Sequence, residues 1–473
     1  MNFDAQLEKD VEQSEVGGSE IYLAMESHEV DSDIKVKVLV LEFTYRFRSI
    51  KFTLYPGDIP GEAPGKSSNV AWASRKASER YLLKTREEVI VTIFDADSHL
   101  STDYFAMVTT MHLAYPETTS TTIYSAPIIF DRNAHNVPAL VRTADILWCA
   151  AGLSGLYASS TIRPPTSVSL TLTLIDIVGG WDADSAAIGE DLHMYLKCFF
   201  ALNGNLTQRT VLAPVSQSNV SSGLKGHRGR VQNYHARYKQ ALRHMWGSLD
   251  TGDLSSNSLS RLKTFNHHLP GGQGPIHYTV SSPNWKHVFY LSHRLFEAHF
   301  LPTHMTIFII SFSIYSFLTS ASNTSPPPSH LTYMLTLTSY TCLLSFAIVA
   351  LYMTLYETYH THCIATRTLE MRRAGLYDGM KENENSFSYR SWRNNWIDYV
   401  VSPLVAPVYR SILASQAQIA YLWTRELVYM VSVKLVIGGS AGGSNRRENN
   451  GTSSTCKFGN ANNGSGKLAN EMA

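Results

Sequence analysis

The sequence predicts an α/β domain with a mostly parallel sheet, followed by a membrane helical region. Three observations predict it. Strand-like apolar runs alternate with helix-like segments between Glu20 and about Asp250. One of those runs, Val89 to Phe94, is apolar on both faces, as a central strand of a covered parallel sheet is. Two uncharged stretches, Met305 to Ala321 and Leu331 to Leu355, are each about as long as a helix must be to cross a hydrocarbon core of roughly 30 Å.

Composition bounds the alternatives. At 473 residues the chain exceeds one ordinary domain and accommodates a soluble body plus a membrane region. Charged residues make up 17%, below the roughly 25% usual for soluble domains. The net charge of +1 gives no bulk electrostatic attraction for nucleic acid, and none is expected as a partner. Cys149, Cys198, Cys342, Cys363 and Cys456 form no CxxC pair, which argues against a zinc site and a disulfide framework. Residues 1–19 are a polar, acidic extension with no signal-peptide character.

Within residues 20–250, Ile21 to Met25 reads as a strand. Asp33 to Phe47 reads both ways: Val38, Leu41 and Tyr45 have helical spacing, while Val36-Lys37-Val38 alternates like a strand. Lys51 to Tyr55 is a second strand, stopped by Pro56-Gly57, and a helix follows from about Ser67 to Lys84. Serines and threonines between Ser167 and Thr173 suit either contact with a substrate or a plain strand. Residues 251–304 read as a linker with interfacial helices, and 305–356 as a two-helix membrane hairpin turned at Pro326-Pro327-Pro328. Residues 357–437 read as interfacial helices. A weaker apolar stretch from Trp396 to Trp423, interrupted by Pro403, Pro407, Arg410 and Gln416, suits re-entrant helices better than a clean span. Residues 438–473, rich in Gly, Asn and Ser, read as a disordered tail.

Lys286, His293 and Arg294 precede the hairpin and Arg367, Arg372 and Arg373 follow it, whereas its loop has no Lys or Arg. The positive-inside rule places both flanks, and the α/β domain with them, in the cytosol. The sequons at Asn205 and Asn219 are then expected to stay unmodified; the one at Asn323 lies in the loop.

Four motifs carry the chemistry. Asp95-Ala96-Asp97 follows the apolar strand directly, and residues i and i+2 of an extended chain point the same way. Two carboxylates therefore converge at the C-terminal edge of the sheet, where open α/β folds bind ligands, and suit Mg²⁺ or Mn²⁺ with phosphate. Such triplets are also common in turns. Gly65-Lys66-Ser67-Ser68-Asn69 offers a turn, a cation for phosphate and a helix start, but is not a Walker P-loop. Gly179-Gly180-Trp181-Asp182 presents an aromatic ring at a tight turn, and Glu190-Asp191 opens a helix; a carboxylate there stays ionised, as a general base must, and equally serves as a cap. In Gln240-Ala241-Leu242-Arg243-His244-Met245-Trp246, Arg243 can engage phosphate and Trp246 can stack on a sugar face, though an interfacial helix looks similar.

Taken in order, these motifs and the membrane helices behind them resemble the family 2 glycosyltransferases, in layout the membrane-integrated cellulose-synthase-like and chitin-synthase-like members. The resemblance spans roughly Glu20 to Leu435. It implies a GT-A fold, a nucleotide-sugar donor (UDP-linked by expectation), a glycan or lipid acceptor, and inversion at the anomeric carbon. It assigns Asp97, supported by Asp95, to a Mn²⁺ or Mg²⁺ ion at the donor diphosphate, and Asp191 to deprotonation of the acceptor. Lys66, Asn69, Gln240 and Arg243 would lie on the donor side; Trp181, Glu190 and Trp246 would lie on the acceptor side. Three departures accompany it. Nothing before Glu20 matches the family's first strand, Met25-Glu26 stands where many members have paired aspartates, leaving Glu26 as the donor-side substitute, and His244 replaces a tryptophan. They motivate an alternative, a non-catalytic scaffold or a subunit of a larger synthase.

Overall fold

The computed structural model describes residues 19–29, 31–45, 47–62, 65–95, 98–101, 103–158, 168–183, 190–222, 224, 226–261, 282–321, 329–375, 377–378, 387–423, 428–429 and 454–455. The chain opens with β1 (Glu20–Glu26), α1 (Ser32–Phe43) and β2 (Ser49–Tyr55), and the two strands pair in parallel with Glu20 opposite Ser49. The ambiguous stretch after Asp33 is thus a helix. It buries Val36 and Phe43, while Ile34, Val38, Leu41 and the following Tyr45 face outward.

Next comes α2 (Lys66–Ser78), which starts at Gly65, whose φ of 141° an L side chain would resist. Its inner face is small: Ser68, Ala71, Ser74 and Ala77 recur at threes and are buried. That lets the helix lie close on β1 and β2 and also reach the main core beside Val91 and Ile93. Trp72 stays on the outer side, under Arg75 and Lys76, with 5.5 and 5.0 Å to the ring centre.

The body continues through β3 (Ile90–Ile93), β4 (His99–Leu100), α3 (Asp103–Ala114), β5 (Thr122–Ser125), β6 (Ile128–Phe130), α4 (Ala139–Ala158), β7 (Val168–Thr171), α5 (Leu172–Ile177), α6 (Glu190–Ala201), β8 (Thr207–Thr210), β9 (Val215–Gln217) and α7 (Gly226–Arg261). One sheet runs β3-β7-β5-β8 and another β4-β9-β6. Pairing is mixed. β1–β2, β5–β8 and β6–β9 are parallel, whereas β3–β7, β5–β7 and β4–β9 are antiparallel. The α/β fold and its agreement with the GT-A layout hold, with fewer parallel pairs than Val89 to Phe94 suggested. β7 enters antiparallel between β3 and β5, and Ser169 on it pairs with Thr92 at 2.7 Å and Tyr104 at 2.8 Å. Ser169 and Thr171 are buried, so the plain-strand alternative describes Val168–Thr171, while Thr173 falls in α5 and Ser167 lies outside the described residues.

β3 is not central among the described residues. It pairs with β7 alone, and all four of its residues are half-buried, whereas all four of β5 are buried. β1, likewise half-buried throughout, pairs with β2 alone. Among the described residues the β1–β2 pair and the β3 sheet share no strand pairing, and α2 touches both. One core surrounds α6, whose Met194, Tyr195, Leu196, Cys198 and Phe199, with Leu202 just beyond its end, are almost wholly buried. Burial pushes the Cys198 thiol up to about 12, as expected of an inert packing cysteine.

The C-terminal helices are α8 (Trp285–Leu295), α9 (Leu301–Ala321), α10 (Ser329–Arg373), α11 (Trp392–Ala406) and α12 (Ile412–Tyr421). π turns at Phe296–Phe300 and Pro407–Ser411 join α8 to α9 and α11 to α12. Among the described residues two helices are long and apolar enough to cross a membrane, by length and composition: Trp285–Tyr315 and Trp392–Ala420. The second covers the weaker apolar stretch from Trp396 to Trp423, which the sequence leaves between re-entrant helices and a further span. Pro403 sits inside α11 and Pro407 opens the π turn, so the backbone absorbs both prolines without breaking the helix. α10 changes character along its length. Tyr333, Met334, Leu337, Tyr340, Leu343 and Leu344 are exposed, whereas Met353, Tyr356 and Cys363 enter the core beside Leu100, Ile129 and Val215.

Candidate active site

The site builds from the first turns of two helices. At the end of β3, Asp95 pairs with Lys66 on the first turn of α2, at 2.8 Å from Oδ1 to Nζ, with both side chains 36% exposed. The sequence motifs Gly-Lys-x-x-Asn and DxD thus meet in space. Ser67 donates its hydroxyl to the carbonyl of Asp182 at 2.9 Å, and Asn69 donates its amide to the carbonyl of Ala24 at 3.1 Å. Asn69 therefore supports the α2–β1 junction instead of capping its own helix. Glu26 ends β1, two residues beyond Ala24, and burial, with Glu29 next in weight, raises its carboxyl above the ordinary range.

The Gly179-Gly180 turn ends α5. Both residues have positive φ, 79° and 98°, and their amides return to Asp176 and Ile175 at 3.0 and 2.8 Å. Trp181 follows and is only 5% exposed, packed into the core around α6. Its ring is structural in this arrangement, not presented to solvent as the tight turn had suggested. Asp182 is buried as well, and the Nδ1–H of buried His193 donates to its Oδ2 at 2.6 Å. One turn along α6, Lys197 donates to the carbonyl of Gly180 at 2.9 Å.

Asp191 is half-buried on the first turn of α6, two residues before His193. A chain of direct contacts therefore runs from Asp95 through Lys66, Ser67 and Asp182 to the start of the Asp191 helix. Glu190 opens that helix; its side chain and Asp97 lie outside the described residues. α7 packs against α6. On it, Gln240 accepts from Arg237 at 2.5 Å, and Arg237 pairs with Asp145 at 2.9 Å, so Gln240 is held within the helix packing. Arg243 is half-buried, His244 is exposed, and Trp246 is 4% exposed, which leaves it no open face for a sugar.

Spacing alone did not single out His193, Lys197 or Arg237. The signal available was positional: His193 and Lys197 stand four apart on α6, so they share one face, the face that meets the glycine turn.

The residues present suit a divalent ion that arrives with phosphate. Among the described residues no three His, Cys, Asp or Glu side chains gather as a ready metal cage. Mg²⁺-type sites need only one or two carboxylates plus substrate phosphates, and Asp95 is half-exposed at the sheet edge.

Comparison with protein families decides the assignment. The profile described as Glycosyl transferase family group 2 matches residues 90–359, more than half of the chain. The chain belongs to that family. Comparison with curated proteins finds no match. The matched part of this glycosyltransferase runs from the start of β3 into α10, so it includes Asp95, Asp191, Gln240 and Arg243. Glu26, Lys66 and Asn69 precede it, and their link to the site is the geometry of α2 described above. A family 2 glycosyltransferase acts on a nucleotide-sugar donor and an acceptor.

Proposed function

We propose that this glycosyltransferase is a membrane-anchored, inverting enzyme of the cellulose-synthase-like and chitin-synthase-like type, using a UDP-sugar and a glycan or lipid acceptor. The observation that carries the proposal is the contact chain joining Asp95 and Lys66 to the Asp191 helix. Lys66 and Arg243 bind and neutralise the donor diphosphate. Asp191, ionised at its helix N-terminus, takes the proton of the acceptor hydroxyl. The acceptor oxygen forms a bond to the anomeric carbon from the face opposite the diphosphate, the bond from that carbon to the phosphate oxygen breaks, and the nucleoside diphosphate leaves. Asp95 and Asp97 would hold a Mn²⁺ or Mg²⁺ ion, which supplies Lewis-acid stabilisation of the charge gathering on the leaving group.

Support for the anchor comes from the two apolar helices and the exposed apolar side chains of α9 and α10, including Ile307, Phe308, Phe317, Leu343 and Leu351. Arg367 at the far end of α10 is buried in the catalytic body, which accords with a catalytic domain on the cytosolic, basic-flanked side.

A second reading, a scaffold that binds nucleotide-sugar within a larger synthase, is favoured by one observation. Among the described residues the β1–β2 pair stands apart from the β3 sheet, as it would in a GT-A sheet lacking a strand between them.

Membranes containing the full chain, supplied with a panel of UDP- and GDP-sugars and Mn²⁺, distinguish the two. Turnover that falls at least about 10³-fold in Asp191→Asn is expected of the enzyme. Donor binding with no turnover in folded wild type would establish the scaffold instead.

A further inference from the structure

We propose that Asp182, His193 and Lys197 form a buried clamp that positions the Asp191 helix against the donor-side helix, with His193 as its key positioning residue. The proposal rests on the transferase reading only for its catalytic consequence; the clamp itself stands on geometry.

Asp182 is bound from two directions. Its carbonyl accepts from Ser67 on the first turn of α2, beside the Lys66–Asp95 pair. Its carboxylate accepts from His193 on the first turn of α6, beside Asp191. An ionised carboxylate only accepts, so the His193 tautomer has its proton on Nδ1. Four residues on, Lys197 grips Gly180, so two successive turns of one helix face hold residues 180–182. Trp181 fills the space between these grips and is packed in the core. The turn cannot slide along α6 without breaking a charge-assisted bond between groups that are 4% and 6% exposed.

None of these contacts involves Asp191 itself. What they set is the place of its backbone relative to Lys66 and Asp95. A general base loses effect steeply with misplacement, and a 1 Å error can cost about 10²-fold. His193 therefore acts on the rate of transfer, with little influence on donor affinity.

Two polar variants isolate the role. His193→Asn keeps an N–H donor near the Nδ1 position; His193→Gln moves it out toward the Nε2 position. In the full chain, Gln should lower kcat for transfer about 10-fold or more with donor KM within about twofold, while Asn stays within about threefold of wild type. Independently of activity, amide hydrogen exchange over residues 191–196 should quicken about 10-fold in Gln and not in Asn. Equal losses in both variants, a loss that falls on donor KM, or exchange unmoved by Gln would overturn the clamp. Failure of the wild type to turn over any donor would sink the transferase reading but leave the exchange result to judge the clamp. A His193→Gln protein that does not fold is replaced by Asp182→Asn. That variant weakens the same bond while keeping its shape, and it should quicken the same amides.

Discussion

The amide nitrogen that a glycan would need is occupied at Asn219: it donates to the Asp145 carboxylate at 2.6 Å, and the residue is fully buried. Asn205 similarly donates to the carbonyls of Leu202, Asn203 and Ser282. Both sequons should be unmodified in protein from a glycosylating host, as the proposed cytosolic placement implies and peptide mass spectrometry will report; glycan at either would invert that topology. At this scale the sequence was legible where chemistry is local. Lys66 and Asp95 were marked by charge and by their places after a turn and a strand, and they meet. Trp181 and Trp246 were marked by type, but a large ring serves packing and stacking equally well, and only tertiary contacts decide between them; here both are buried. Asp182 lies within a recognised motif, yet its partner His193 is eleven positions away, a separation that no helix or strand periodicity marks.

Among the elements, α11 is tied to the body through Asp398. Asp398 is fully buried and accepts from Arg142 of α4 at 2.9 and 2.6 Å, and from Arg390 at 2.8 Å. Two guanidiniums thus share one carboxylate, and removing it leaves buried Arg390 and half-buried Arg142 without their counter-charge. Asp398→Ala should cost about 3–5 kcal/mol, seen as a lower thermal midpoint in detergent and as protease cleavage near Trp392. The Arg142→Ala, Asp398→Ala double variant should lose less than the sum, since the charges are removed together. Element identity was legible from pattern for β1, β2, α2 and β3, but the status of β3 was not. An apolar tetrapeptide reads as central whichever neighbours it has, and its half-exposure follows from a pairing that lies outside its own residues. In the same way the spacing of Val38, Leu41 and Tyr45 pointed to a helix, but these residues face away from the body, where Val36 and Phe43 anchor α1.

For the whole molecule, the junction of α10 with the catalytic body governs how stability responds to acid. His99 is fully buried and is held well below its ordinary 6.5 by burial, then by Arg367 and Arg132. His360 is pushed down to about 3 by burial, then by Arg390 and Arg367. Both folded values lie below the unfolded ones. As pH falls beneath 6.5 the unfolded chain takes up protons that the folded chain refuses, and stability drops about 1.4 kcal/mol per pH unit for each histidine. Asp131 acts in the opposite sense, because burial raises its carboxyl despite Arg367, and it therefore offsets part of the loss only where carboxylates titrate. The thermal midpoint should fall steadily from pH 7 to 5, and His360→Phe should flatten that slope. A midpoint indifferent to pH across this range would contradict the buried, neutral state of both rings.

α10 has 45 residues, a rod of about 68 Å. No helix break separates its exposed apolar half from Arg367, which is clasped by Asp131, His99 and the carbonyl of Pro214. Such a rod is a lever arm. A tilt of about 10° at its outer half displaces a point 25–30 Å along it by about 5 Å, more than the length of a hydrogen bond. The helix and the catalytic body must therefore pivot together, so the thickness and curvature of whatever surrounds the outer half will set the angle at which the active site meets its acceptor.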